Sequence, residues 1–153
     1  MSNGANSRWA RGVLAAAAAL IVLAVAGCGS SSSGLSKAAL QTKGDAICKK
    51  HTDVITAAAS KLLAGGKLPS PAKFGKLAFG TIIPQYTAQI GELSALKPEA
   101  KLATSYKQWL TASRAVVAGM KRNPVSIQSS APYVAVNNEA KALGLSSCHA
   151  GPG

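Results

Sequence analysis

Four stretches of this sequence repeat apolar or small residues every three or four positions, and Gly or Pro closes each one. That periodicity is the signature of amphipathic helices. The first stretch runs from about Ser36 to Ala64, with Leu40, Gly44, Ile47, Cys48, His51, Ile55, Ala58 and Leu62 on one stripe. Ser36 suits its N-cap. Gly65-Gly66 and Leu68-Pro69-Ser70-Pro71 end it in a turn. The second runs from about Pro71 to Leu96 and places Phe79, Ile83, Tyr86, Ile90 and Leu93 inward. Pro84 lies in its middle and predicts a kink or split, because proline has no N–H to donate. The third runs from Pro98, at the first helical position, to Arg122. Its apolar face is Leu102, Tyr106, Trp109, Leu110, Val116, Val117 and Met120. The fourth runs from Ser130 to Leu143, with Tyr133, Val136, Ala140 and Leu143 inward and Gly144 as the C-terminal cap.

Composition agrees with helix. Alanine fills 30 of 153 positions and aromatics are 5%, which leaves few β-branched or aromatic runs for a sheet. Short connections between the four segments predict an all-α, up-down-up-down antiparallel four-helix bundle.

The segment before the bundle reads as an address. Arg8 and Arg11 precede an apolar run of 13 residues, Val13 to Val25. A membrane-spanning helix needs about 20, so the run suits the core of a secretory signal peptide. It ends in Val25-Ala26-Gly27-Cys28. These four residues resemble the lipobox of bacterial lipoproteins: aliphatic, small, small, then Cys. The resemblance implies cleavage before Cys28 and a diacylglyceryl thioether on its sulfur. Residues 1–27 are then a cleaved signal peptide. Residues 28–34 are the lipidated Cys and a Gly/Ser tether, and 35–153 form the helical domain. A six-residue Gly/Ser tether spans about 13 Å. The expected location is the outer face of the cell membrane, with two acyl chains as a stable anchor.

Lipidation leaves Cys48 and Cys148 of the three cysteines. Export places them in an oxidising compartment, so they are expected to pair and close the bundle. The alternative is two thiols in a metal or redox site, for which no CxxC spacing exists. The domain is also similar to small helical lipoproteins of actinobacteria, through GDAICKK, IIPQYTAQIGELSALKP and LGLSSCHAG. That resemblance implies a helical bundle with one disulfide and carries no activity.

The sequence contains no GxSxG, HExxH, Walker loop or GxGxxG. Its five carboxylates offer no ExxH pair for a di-iron bundle. No catalytic residue and no cofactor are expected, and the chain does not read as an enzyme. Asp45, Lys49 and Asp53 read as a solvated ladder. His51 lies one turn after Cys48, and His149 follows Cys148. A disulfide would bring the two imidazoles close enough for weak metal binding or a pH-sensitive pair, although no third ligand is evident. The simpler reading is a helix-edge histidine and a mobile tail running from His149 to Gly153.

After loss of the signal peptide, 15 cationic side chains face five acidic ones, a net +10. Such a surface is drawn to anionic lipid or polymer. Location and the scarcity of aromatics argue against nucleic acid. The expected role is an interaction or structural module that docks an envelope protein through a helix face. The second expectation is a binder of an anionic envelope polymer, or of a small apolar ligand near Pro84.

Overall fold

The computed structural model describes residues 33–64, 66 and 68–152. Among these residues the chain is helical with one disulfide, and its only β-type pairing is an isolated bridge.

Helix α1 spans Lys37–Leu63. Ser36 caps it by accepting the Ala39 N–H at 3.3 Å. Leu40, Gly44, Cys48 and His51 form its buried stripe. Helix α2, Pro71–Leu77, begins with Ser70 as cap and Pro71 in the first turn. It continues through a π turn, Ala78–Ile82, into α3, Ile83–Ser94. Right-handed helical dihedrals at Leu77, Ala78, Ile82 and Ile83 make these three pieces one continuous rod.

The π turn is how the helix accommodates Pro84. A proline inside an α-helix has no N–H and crowds the carbonyl four residues back; a wider turn relieves both. The expected break at Pro84 is therefore a widening just before it. The wider turn also shifts the buried face. Ala78, Ile82 and Ile83 enter the core, whereas Phe79, expected inside, is 54% exposed.

Helix α4, Ala100–Arg122, starts two residues later than Pro98 suggested. Pro98 and Glu99 are drawn out to meet Leu35 in a parallel bridge. Leu35 N–H donates to Lys97 O at 2.7 Å, and Glu99 N–H to Leu35 O at 2.9 Å. Tyr106, Trp109, Leu110, Val117 and Met120 are buried on α4 as expected. The Tyr106 hydroxyl donates to the carbonyl of Leu93 at 2.8 Å. Its ring lies 5.5 Å from that of Trp109.

After α4 the chain makes two 3-10 turns, Pro124–Gln128 and Ala131–Tyr133, and then α5, Val134–Leu143. The stretch expected to be helical from Ser130 thus opens as a 3-10 turn around Pro132. Gly144 adopts a left-handed φ of 80°. Its N–H reaches Lys141 O at 2.9 Å, and Leu145 N–H reaches Ala140 O at 2.9 Å. This is a Schellman ending, which favours glycine at that position. Leu145 then turns back to full burial.

In packing, α1 lies against α3, α3 against α4, and α4 against α5. Cys48 and Cys148 form the disulfide, with Cα atoms 5.0 Å apart. The chain beyond it is held rather than loose. Asn137 accepts the Ala150 N–H at 2.9 Å and donates to the Ala150 carbonyl at 3.0 Å. Gly151 N–H donates to the Tyr86 hydroxyl at 3.3 Å. Asp45, expected on a solvated ladder, instead holds the approach to the disulfide. One of its oxygens accepts the Ser147 N–H at 2.7 Å and the other accepts the Ser146 hydroxyl at 2.8 Å. Lys49 and Asp53 alone keep the helical pairing, at 2.7 Å on the exposed side.

Candidate functional site

Cys28 lies outside the described residues. The other expected site residues converge on the α1–α3 contact, where the buried Cys48–Cys148 disulfide adjoins a polar cluster. Gln89 Nε2 donates to Cys48 Sγ at 3.4 Å. His51, one turn along, is buried. Its Nδ1 lies 2.6 Å from Gln85 Oε1 and its Nε2 lies 3.1 Å from Glu92 Oε1. Lys50 Nζ reaches the same Glu92 oxygen at 2.6 Å.

Each ring nitrogen thus has a partner on α3, and which of them donates follows from the tautomer and from the orientation of the Gln85 amide. The Lys50 ammonium holds the Glu92 carboxyl below the usual carboxylate range, against partial desolvation and with added help from His51.

This cluster is a staple between two helices. The cysteine beside it is oxidised, and no hydroxyl or thiol in the network stands ready as a nucleophile. His149 is exposed, whereas His51 is buried with both nitrogens engaged by α3, which favours the simpler reading of two separate histidines over an imidazole pair. Among the described residues, no three His, Cys, Asp or Glu side chains gather as metal ligands. Sequence reasoning missed the α3 half of the staple. Its signal was present: Gln85, Gln89 and Glu92, spaced by four and three on one face.

Two of the concavities bear on ligand binding. The first is a cavity of about 20 Å³ within the core, lined in part by Tyr86, Gln89, Trp109, Ser113 and Met120. Gln89 Oε1 and Trp109 Nε1 are buried there without a protein partner. Its size suits one water-sized molecule and no larger ligand. Pro84 is exposed and belongs to neither space. Trp109, Tyr106 and Tyr133 are core residues.

The second space is a groove of about 640 Å³ where α1 ends, α2 begins and α4 gives way to its 3-10 turn. Among the described residues Leu63, Leu68, Pro69, Pro71, Phe74, Pro124 and Val125 make its lining almost wholly apolar, with Gln128 the polar side chain there. Leu68 is 93% exposed, Val125 65% and Leu63 52%. Single exposed apolar residues are ordinary, but several sharing one concavity mark a contact surface. Lys61, Lys73, Lys76, Lys121 and Arg122 are exposed on the elements that build it, outside its lining. No carboxylate occurs between Asp53 and Glu92, or between Glu99 and Glu139.

Among the described residues, no helix is long and apolar enough to cross a membrane. No protein family, no curated protein and no solved structure matches this chain.

Proposed function

We propose that this chain is a lipid-anchored binding module on the outer face of the cell membrane, and that the apolar groove at the far end of α1 is its working surface. The anchor reading rests on Val25-Ala26-Gly27-Cys28 after a 13-residue apolar run. The tether enters the domain at Leu35, beside Lys97 to Glu99. Helix α1 has 27 residues, about 40 Å at 1.5 Å per residue. The groove therefore lies about a helix length from the start of α1. We read the four helical segments as an up-down-up-down antiparallel bundle. The support is the succession of packed pairs, α1 with α3, α3 with α4 and α4 with α5.

One observation carries the functional reading. Leu63, Leu68 and Val125 are all exposed and share one concavity. No catalytic residue belongs to this function. The disulfide and the His51 staple serve to hold α1, α3 and the C-terminal segment rigid beneath it.

A second reading, attraction to an anionic envelope polymer, draws on the lysines spread along the domain. Salt separates the two, because exposed charge pairs are screened and apolar contact is not.

The test has two arms in the native cell. Cys28→Ser is expected to abolish incorporation of an alkyne-tagged fatty acid and to release the chain from the membrane fraction; retained label and retained membrane association overturn the anchor. A photocrosslinking side chain placed at Leu68 is expected to give adducts that persist at high salt, while one placed at exposed Lys107 gives none. Equal adducts at both positions, or loss of both at high salt, overturn the groove as the working surface.

A further inference from the structure

We propose that the furrow between α3 and α4 seats a helix of a partner protein, one that presents an apolar stripe between two carboxylates seven residues apart. The furrow shares no lining residue with the apolar groove at the end of α1. It is a second contact surface, additional to the one read above as the working surface.

Shape comes first. The furrow encloses about 300 Å³. Arg114, Val117, Ala118 and Lys121 form its α4 wall, and Thr87, Ile90 and Gly91 its α3 wall. Steps of three and four keep each set on one helix face. The α4 wall therefore runs along two turns, about 10 Å at 1.5 Å per residue. Ile90 and Val117, nearly buried, make the floor. A Cβ on Gly91 would meet nothing within 4 Å, so an occupant can come close to the α3 backbone there.

Hydrogen-bonding capacity comes second. All the lining residues lie inside α3 or α4, where the backbone N–H groups are bonded within the helix. An extended strand finds no ladder to join, which excludes strand addition. The Thr87 hydroxyl donates to the Ile83 carbonyl at 2.8 Å. The donors left in the lining are the two cations.

Charge comes third. Arg114 and Lys121 are exposed, and the ion pairs among the described residues involve neither. No carboxylate lines the furrow. Glu92, next to Gly91, is committed to Lys50 and His51 on α1. An apolar floor between two such cations complements acid, apolar, acid along one helical stripe, and a seven-residue step on that helix covers the same distance. Arg114 can take its carboxylate through two N–H groups at once. This chain does not supply that pattern itself. Residues 1–32 carry Arg8 and Arg11 and no carboxylate, and no described helix holds two carboxylates seven residues apart. A simple anion would meet one cation and leave the floor uncovered.

The experiment uses the full chain in phosphatidylcholine nanodiscs. The probe is a stapled, alanine-based helical peptide with glutamates seven residues apart and photoleucine between them. After illumination, adducts are mapped by mass spectrometry. They are expected on the segments Thr87 to Gly91 and Arg114 to Lys121. A peptide with glutamine in place of both glutamates should label several-fold less. Gly91→Gln fills the furrow with a residue that suits a helix better than glycine. It should melt no lower than the parent and reduce labelling about tenfold. Arg114→Glu with Lys121→Glu should reject the acidic peptide and take up its lysine counterpart, with the helical circular dichroism unchanged.

No adducts, adducts scattered over the surface, or adducts indifferent to Gly91→Gln overturn the site. Equal labelling by the glutamate and glutamine peptides, or failure of the charge reversal to exchange the preference, overturns the acidic partner. Loss of labelling to inorganic phosphate at matched ionic strength assigns the cations to a simple anion and overturns the helix. Loss of labelling to phosphatidylglycerol nanodiscs assigns them to the membrane surface and does the same. None of these results bears on crosslinking at Leu68, so this proposal and the reading of the apolar groove fail separately.

Discussion

Replacing Gly44 by Ala sets helix propensity against packing at the centre of the buried face of α1. Propensity favours the change, since Ala for Gly in a helix interior gains about 0.5–1 kcal/mol. Packing opposes it. A Cβ on Gly44 stands 2.5 Å from Leu145 Cδ2 and 3.8 Å from Leu93 Cδ2. Leu145 is fully buried, so its methyl has no solvent to turn into. Its backbone is held by the bond to Ala140 O, and Asp45 ties down the two residues after it. Forcing an extra methyl into such a site costs about 1–3 kcal/mol.

The net expectation is a loss of about 1–2 kcal/mol, or several degrees of melting temperature at roughly 4 °C per kcal/mol. Urea unfolding followed by far-UV circular dichroism measures it. Leu145→Ala alone should cost about 2–5 kcal/mol. In the Gly44→Ala background the new methyl fills part of the vacated space, so the double variant should be more stable than the sum by about 1 kcal/mol. A stabilising Gly44→Ala, or strict additivity, would refute the close packing of Gly44 on Leu145.

Asp45→Ala leaves the Ser147 N–H and the Ser146 hydroxyl without their acceptor. It should cost about 1–3 kcal/mol and speed amide exchange at Ser147, and unchanged exchange rejects the role given to Asp45. Lys50 and His51 hold Glu92 below its ordinary 4.5. The folded chain therefore releases that proton more readily than the unfolded one: the stabilisation is complete above pH 4.5 and is lost as pH falls below it. Glu92→Gln should flatten the acid limb of a stability–pH curve, and an unchanged slope argues against it. Burial pushes Tyr106 and Tyr133 up to about 12 from 10.0, the latter aided by Tyr86. Their stabilising effect is present below pH 10 and is lost as pH rises toward 12. Absorbance titration should show both phenols ionising together with unfolding, rather than ahead of it.

Much of the fold was legible because helices announce themselves locally. The three-and-four spacing of Leu40, Gly44, Cys48 and His51 located α1 and its buried face, and Ser36 its start. Tyr106, Trp109, Val117 and Met120 did the same for α4. Gly144 marked the end of α5 because left-handed backbone favours that residue type. The partnership of Cys48 and Cys148 followed from a count and a compartment. The legibility stopped where a side chain answers to a partner far along the chain. Asp45 looked like a rung on a surface ladder, and its partners lie 101 and 102 residues away.

Periodicity and capping depend on neighbours a few positions apart, and they were enough for the helical class, the approximate helix positions and most of the core. Contacts between distant segments settled what remained. Accommodating Pro84 within a continuous rod required a π turn, and that turn sent Phe79 outward. Docking α1 on α3 gave both nitrogens of His51 to Gln85 and Glu92 and none to His149. The apolar groove exists only because the end of α1, the start of α2 and the turn after α4 meet there. Each segment alone is an ordinary turn, and the concavity belongs to their packing.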